Sequence, residues 1–213
     1  MNTRRLPVFL LLDTSGSMIG EPIVSVNVGL QSMISSLRQS PYALESVHIS
    51  VTTFDSQVKD VLPLTAIEFV NMPEISCPNS GATMLGAGLE HICEKVKREI
   101  QHSTPDTKGD WRPLLFIMTD GKPSDTLAFS EVIPQVKACN FATIIACAAG
   151  PKSDPEALHR LTDKVVQLDT MDSATFSSFF QWVTATVTSG SSSMGATDTL
   201  ALPPPPPEVN IVF

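Results

Sequence analysis

Several common chemistries are missing from this sequence. Its four cysteines, Cys77, Cys93, Cys139 and Cys147, are scattered along 213 residues with no CxxC pair. That excludes a disulfide framework and a zinc-ribbon spacing. Cys147 sits in an apolar run and reads as a buried, reduced thiol. Positive charge is scarce, with 14 Lys and Arg against 22 Asp and Glu and a net charge of −8. Nucleic acids and anionic membrane surfaces are bound largely through Lys and Arg, so neither is an expected partner. No apolar run approaches the roughly 20 residues that span a bilayer. The basic start Met1–Arg5 leads into Leu6–Leu12, which ends at Asp13 without the cleavage pattern of a secretory signal. The expected compartment is therefore the cytoplasm.

Motifs of nucleophilic and phosphate chemistry are missing too. No Gly-Lys-Ser/Thr follows a strand, so a Walker-type phosphate loop is excluded. A hydrolase elbow around Ser15 would need glycines where Asp13 and Ser17 stand. The histidines, His48, His91, His102 and His159, have no nucleophile or base partner that spacing identifies. His91 and Cys93 are two apart, hence on different faces of a helix, and all read as packing or surface residues.

What the chain does have is a regular alternation of strands and helices. Leu6–Leu12 is a continuous apolar run, as a strand buried on both faces requires. Between Pro22 and Arg38, Ile23, Val26, Leu30, Met33, Ile34 and Leu37 recur at helical spacing, and Pro41 stops that helix. Ser46–Phe54 reads as a strand, with Val58–Leu64 as an antiparallel partner across a short turn. A helix over Met84–Gln101, a buried strand Leu114–Met118 and a helix over Leu127–Ala138 follow. A strand Ala142–Ala148, a short helix Glu156–Thr162, a strand Val165–Leu168 and a last helix Ser173–Val187 complete the series.

This order predicts an α/β fold of three layers, Rossmann-like. A mostly parallel central sheet with one antiparallel edge strand would carry helices on both faces. The length fits one domain plus a tail, large enough to fold without a metal or disulfide staple. Composition changes at Ser189, so the domain is expected over residues 1–188 and a flexible Ser- and Pro-rich tail over 189–213, with Pro203–Pro207 as a polyproline II rod. Glu208–Phe213 alternates as an added edge strand would, but the spacer composition outweighs it.

In open α/β sheets ligands collect beyond the carboxyl ends of the strands. Two predicted strands end there in oxygen-rich loops, Asp13-Thr14-Ser15-Gly16-Ser17 and Thr119-Asp120-Gly121, and Ser80-Gly81-Ala82-Thr83 precedes the second long helix. Together they offer two carboxylates and several hydroxyls, with no imidazole or thiolate. Such hard oxygen donors suit Mg²⁺, and Mn²⁺ as well. Alternation in Asp13-x-Ser15-x-Ser17 lets one tight turn aim three side chains at a point. Taken alone, Ser17 also fits a helix N-cap, and the glycines of Gly81–Gly88 fit close helix packing.

Asp13-Thr-Ser-Gly-Ser-Met18, Thr83 within Gly-Ala-Thr, and Thr119-Asp-Gly121 resemble the metal-ion-dependent adhesion site of von Willebrand factor A domains, over roughly residues 5–188. Within that family, Arg5–Met18 running into Gly20-Glu-Pro-Ile23, with Pro123 after the third loop, is similar to bacterial TerY-type tellurium-resistance proteins. The resemblance implies a mixed sheet with an antiparallel edge. It also implies metal ligands at Asp13, Ser15, Ser17, Thr83 and Asp120, with Ser15, Ser17 and at times Thr83 in direct contact and the two acids often acting through water. The implied role is a non-catalytic module that docks a partner's carboxylate through Mg²⁺, in the tellurite-stress system beside a protein kinase or phosphatase. The rival reading is a Mg²⁺-dependent phosphohydrolase of haloacid-dehalogenase-like type. Those enzymes carry a second Asp two residues after the first, as general acid/base, where this chain has Ser15.

Overall fold

The computed structural model describes residues 4–79, 81–193 and 202–212. Seven strands form one sheet: β1 (Leu6–Asp13), β2 (Val47–Phe54), β3 (Val58–Ala66), β4 (Leu114–Thr119), β5 (Thr143–Ala149), β6 (Val165–Leu168) and β7 (Asn210–Val212). Their order across the sheet is β3-β2-β1-β4-β5-β6-β7. β2, β1, β4, β5 and β6 run parallel, while β3 and β7 close the two edges antiparallel. The α/β class and mostly parallel sheet read from the sequence are therefore present, with a second antiparallel edge strand added.

The continuous apolar strands follow from burial on both faces. In β1, Leu6, Val8, Leu10 and Leu12 enter one core, whereas Phe9 and Leu11 enter the other. Helices α1 (Glu21–Gln39), α2 (Pro41–Ser46) and α6 (Ser173–Ser193) cover the first face. Helices α3 (Leu85–Glu99), α4 (Thr126–Ala138) and α5 (Pro155–His159) cover the second. Pro41 does stop the first helix, but it also opens α2, because Pro is preorganised for a first helical turn.

Close approach at glycines sets the helix packing. A Cβ on Gly86 would lie 2.4 Å from the Phe129 backbone nitrogen, so α3 and α4 meet nearly backbone to backbone. A Cβ on Gly29 would strike the Phe180 ring, where α1 packs on α6.

The carboxyl-terminal segment departs from the expected free tail. α6 continues past Thr188 to Ser193, and its hydroxyls bond back into the helix: Thr184 donates to Phe180 O, Thr188 to Thr184 O and Ser192 to Thr188 O. Beyond it, Trp182 Nε1 donates to Pro203 O at 2.9 Å, Val209 is buried, and Asn210–Val212 pair with β6. The described part of the proline-rich stretch is thus a strap laid across α6 that ends as an edge strand, not a spacer.

Candidate metal centre

The strand order reverses direction at β1 and β4, and the crevice beyond their carboxyl ends is the place where open α/β sheets bind ligands. β1 delivers Asp13 there and β4 delivers Thr119 and Asp120. Asp13 is buried, and both of its oxygens are held: Oδ1 accepts the Ser15 backbone N–H at 2.7 Å, and Oδ2 accepts the Thr119 hydroxyl at 2.6 Å. The first and third loops are thereby clamped together. Burial pushes the Asp13 carboxyl above its usual range against those hydrogen bonds, and the charge of Asp120 adds to the rise.

Ser15 and Ser17 are not helix caps. α1 begins at Glu21 behind Gly20, whose φ of +94° needs glycine, and no side chain caps it. The short 3-10 turn Gly16–Met18 likewise lacks a side-chain cap. The two hydroxyls instead lie 3.2 Å from each other, Ser15 buried and Ser17 exposed. This disposes of the capping interpretation of Ser17.

The second loop is pinned to the third. Thr83 N donates to Ser124 Oγ at 2.9 Å, and Ser124 N donates to Thr83 O at 2.8 Å. A Cβ on Gly121 would stand 3.3 Å from Thr83 Oγ1, so the threonine hydroxyl faces the turn after Asp120. Ser80, the first residue of that loop as read from sequence, lies outside the described residues.

Asp120 supplies the observation that bears most on a ligand. It is 3% exposed, and its Oδ1 has no hydrogen-bond partner. An unpaired buried carboxylate oxygen is costly, and here it sits near a second buried carboxylate. A divalent cation satisfies that arrangement: it pairs both charges and accepts neutral hydroxyl donors. Among the described residues no three His, Cys, Asp or Glu side chains gather as a metal cluster. The donor set is two acids and hydroxyls, and such a set fits Mg²⁺ or Mn²⁺ better than a soft metal.

Three contacts that shape the site were not read from the sequence. Thr119, already named within the third loop, bonds Asp13 from a position 106 residues away. Asp55 directly follows β2 and accepts the Thr14 hydroxyl at 2.9 Å, while its carbonyl accepts Met84 N, tying the first and second loops. Asp125 leaves its own helix uncapped and accepts from Gly86 N and Ala87 N, so it caps α3 from the third loop. Only the Asp following each strand carries a local signal for such roles. The glycine-rich run Gly81–Gly88 serves packing, as expected, through Gly86 and through Gly88 against Leu11.

A doubly wound α/β domain with three oxygen-rich loops converging beyond β1 and β4 defines the class. The von Willebrand factor type A domain model matches residues 8–181, and the chain belongs to that family. No curated protein matches it in sequence. Among solved structures, a von Willebrand factor type A protein from Catenulispora acidiphila is 17% identical with a TM-score of 0.61, over 87% of this chain and 43% of that one. Proximal thread matrix protein 1 of the mussel byssus, in a structure with a zinc-occupied MIDAS motif, is 16% identical with a TM-score of 0.59, over 85% of this chain and 47% of that one. The pilus adhesin SpaC from Lactobacillus rhamnosus GG is 12% identical with a TM-score of 0.70, over 89% of this chain and 31% of that one. These likenesses show the fold, and the chain spans less than half the length of each of the three.

Proposed function

We propose that the chain is a metal-dependent protein–protein interaction module and not an enzyme. Asp13, Ser15, Ser17, Thr83 and Asp120 would hold a Mg²⁺ or Mn²⁺ ion, and a carboxylate from another protein would complete its coordination. The observation that carries this reading is the buried, unpartnered Oδ1 of Asp120 near the buried Asp13. Family membership and the zinc-occupied site of the byssus protein support it. When bound, the cation supplies a Lewis-acidic anchor for an acidic side chain. The chain's own residues orient that anchor: Thr119 and the Ser15 amide fix Asp13, and Ser124 fixes Thr83. Exposed Ile19, just after the first loop, and exposed Leu127, at the start of α4, offer apolar surface flanking the metal loops.

The finer assignment rests on the TerY-like segments alone. It places the module in the cytoplasm, in tellurite resistance or a related stress response, with a protein kinase or phosphatase as partner. The phosphohydrolase alternative lacks its general acid/base, because Ser15 stands in that position with its hydroxyl against Ser17. Pull-down from the native host tests the reading: capture of a partner with Mg²⁺, its loss with EDTA and its loss on Thr83→Ala are expected. EDTA-sensitive hydrolysis of a generic phosphate ester would favour the alternative instead.

A further inference from the structure

The end of the sheet opposite the metal loops holds a cavity of about 380 Å³. It lies between the carboxyl end of α4, the start of β5 and the segment that runs from α5 into β6. Small-molecule sites begin at about 300 Å³. The wall joins two kinds of surface. Val136, Phe141, Ile144 and Leu161 make an apolar side, and Lys137, Arg160 and Lys164 bring three cationic side chains to the same space.

That charge runs against the chain as a whole, which has 14 Lys and Arg against 22 Asp and Glu. Among the described residues, none of the three cations pairs with a carboxylate. Lys164 Nζ donates to Thr143 Oγ1 at 2.7 Å, and its ammonium keeps two further N–H groups for a ligand. Arg160 donates to Ser130 Oγ at 2.9 Å and lies over the Phe129 ring, so its charge stands at the rim. Lys137 is exposed, in the last turn of α4. Asp163 and the partial negative charge at the carboxyl end of α4 oppose these cations, with one full charge against three. His159 also lines the cavity; the residue is half-buried, and its Nε2 is buried without a hydrogen-bond partner. A buried nitrogen left unpaired is costly, and a ligand oxygen met by a small turn of the ring would satisfy it.

We propose that this cavity binds a small phosphate monoester with an apolar or aromatic body. A phosphate monoester carries close to two negative charges at neutral pH and three strong acceptor oxygens, whereas a carboxylate offers one charge and two oxygens. Two lysines, a histidine and a rim arginine meet the larger demand. The apolar wall selects an ester over free phosphate, because burying the ester's body there adds to the charge pairing. The site binds without a reaction. It stands at the other end of the sheet from Asp13 and Asp120 and does not depend on a bound cation.

Phenyl phosphate is the probe, titrated into the full chain in EDTA so that no divalent ion can hold it at the metal loops. Calorimetry and amide NMR shifts follow the binding. One saturable site is expected, with shifts at Lys137, Thr143, His159 and Lys164 and none at Asp13 or Asp120. Inorganic phosphate should bind about tenfold more weakly, and phenol should show no binding. Lys137→Gln changes an exposed side chain and should weaken phenyl phosphate about fivefold, and Lys164→Gln about tenfold; the amide spectrum of each variant reports its folding. Affinity unchanged in both variants would overturn the proposal. So would shifts confined to the metal loops, inorganic phosphate bound as tightly as the ester, or no saturation by phenyl phosphate at millimolar concentration.

Discussion

Asp13 carries opposing demands that a bound cation would reconcile. Its carboxyl is raised by burial despite bonds from Thr119 and Ser15, so the native state holds that proton more tightly than the unfolded chain does. The stability it contributes is fully present below the ordinary carboxylate range and is lost as pH rises through the raised native value. In metal-free protein at neutral pH its charge is therefore a cost. Asp13→Asn should melt at or above the wild-type temperature in EDTA, yet show no rise on adding Mg²⁺, whereas wild type should rise by linkage. A metal-free variant that melts well below wild type would contradict the electrostatic account. Asp60 has the opposite sign: desolvation opposes the shift, but hydrogen bonds from Lys95, His91 and Thr52 prevail and lower it. Its stabilisation is present above the unfolded carboxylate value and lost as pH falls through the lowered native one. Lys95 is fully buried with Nζ 2.7 Å from Asp60 Oδ1. Asp60→Asn leaves that ammonium without its counter-charge and should cost about 2–3 kcal/mol in denaturant unfolding. Legibility at this scale divides by range. Asp13, Ser15, Ser17, Thr83, Thr119 and Asp120 stand in short local patterns and were readable; the contacts made by Asp55, Thr119 and Asp125 reach partners 41, 106 and 39 residues away in sequence and were not.

At the scale of elements, α3 and α4 position the metal loops, and their approach depends on Gly86. The Cβ of Gly86→Ala would meet Phe129 backbone, which cannot swing aside as a side chain can. The helices must separate, at about 1–3 kcal/mol, and Asp125 then loses its grip on the Gly86 and Ala87 amides. A melting temperature lower by several degrees, together with weaker divalent binding, is the expected outcome; calorimetry on the one variant reads both. Strands buried on both faces and helices with a strong apolar stripe were readable because their pattern is local, as in β1 and α3. The end of α6 was not. Ser, Thr and Gly after Val187 argue for a linker by propensity, but the helix runs on to Ser193 with hydroxyl bonds to carbonyls one turn back. β7 has only three paired residues and follows a proline run, so its strand state depends on the free edge of β6.

Across the whole molecule, the strap links the last helix to the far edge of the sheet. Trp182 bonds Pro203, Val209 is buried, and β7 covers β6. Truncation after Ala201 should therefore cost about 2–3 kcal/mol in burial and ladder bonds. For a chain of this size that corresponds to a melting temperature lower by roughly 5–10 °C. An unchanged melting temperature would return the segment to a spacer.

The central claim is that the three loops hold a divalent cation, and calorimetric titration of Mg²⁺ and Mn²⁺ into the full chain tests it most directly. The account predicts one site in the wild-type chain, no measurable binding in Asp13→Asn and weakened binding in Thr83→Ala. Wild-type protein that binds neither ion, or an Asp13→Asn chain that binds as tightly as wild type, would contradict it.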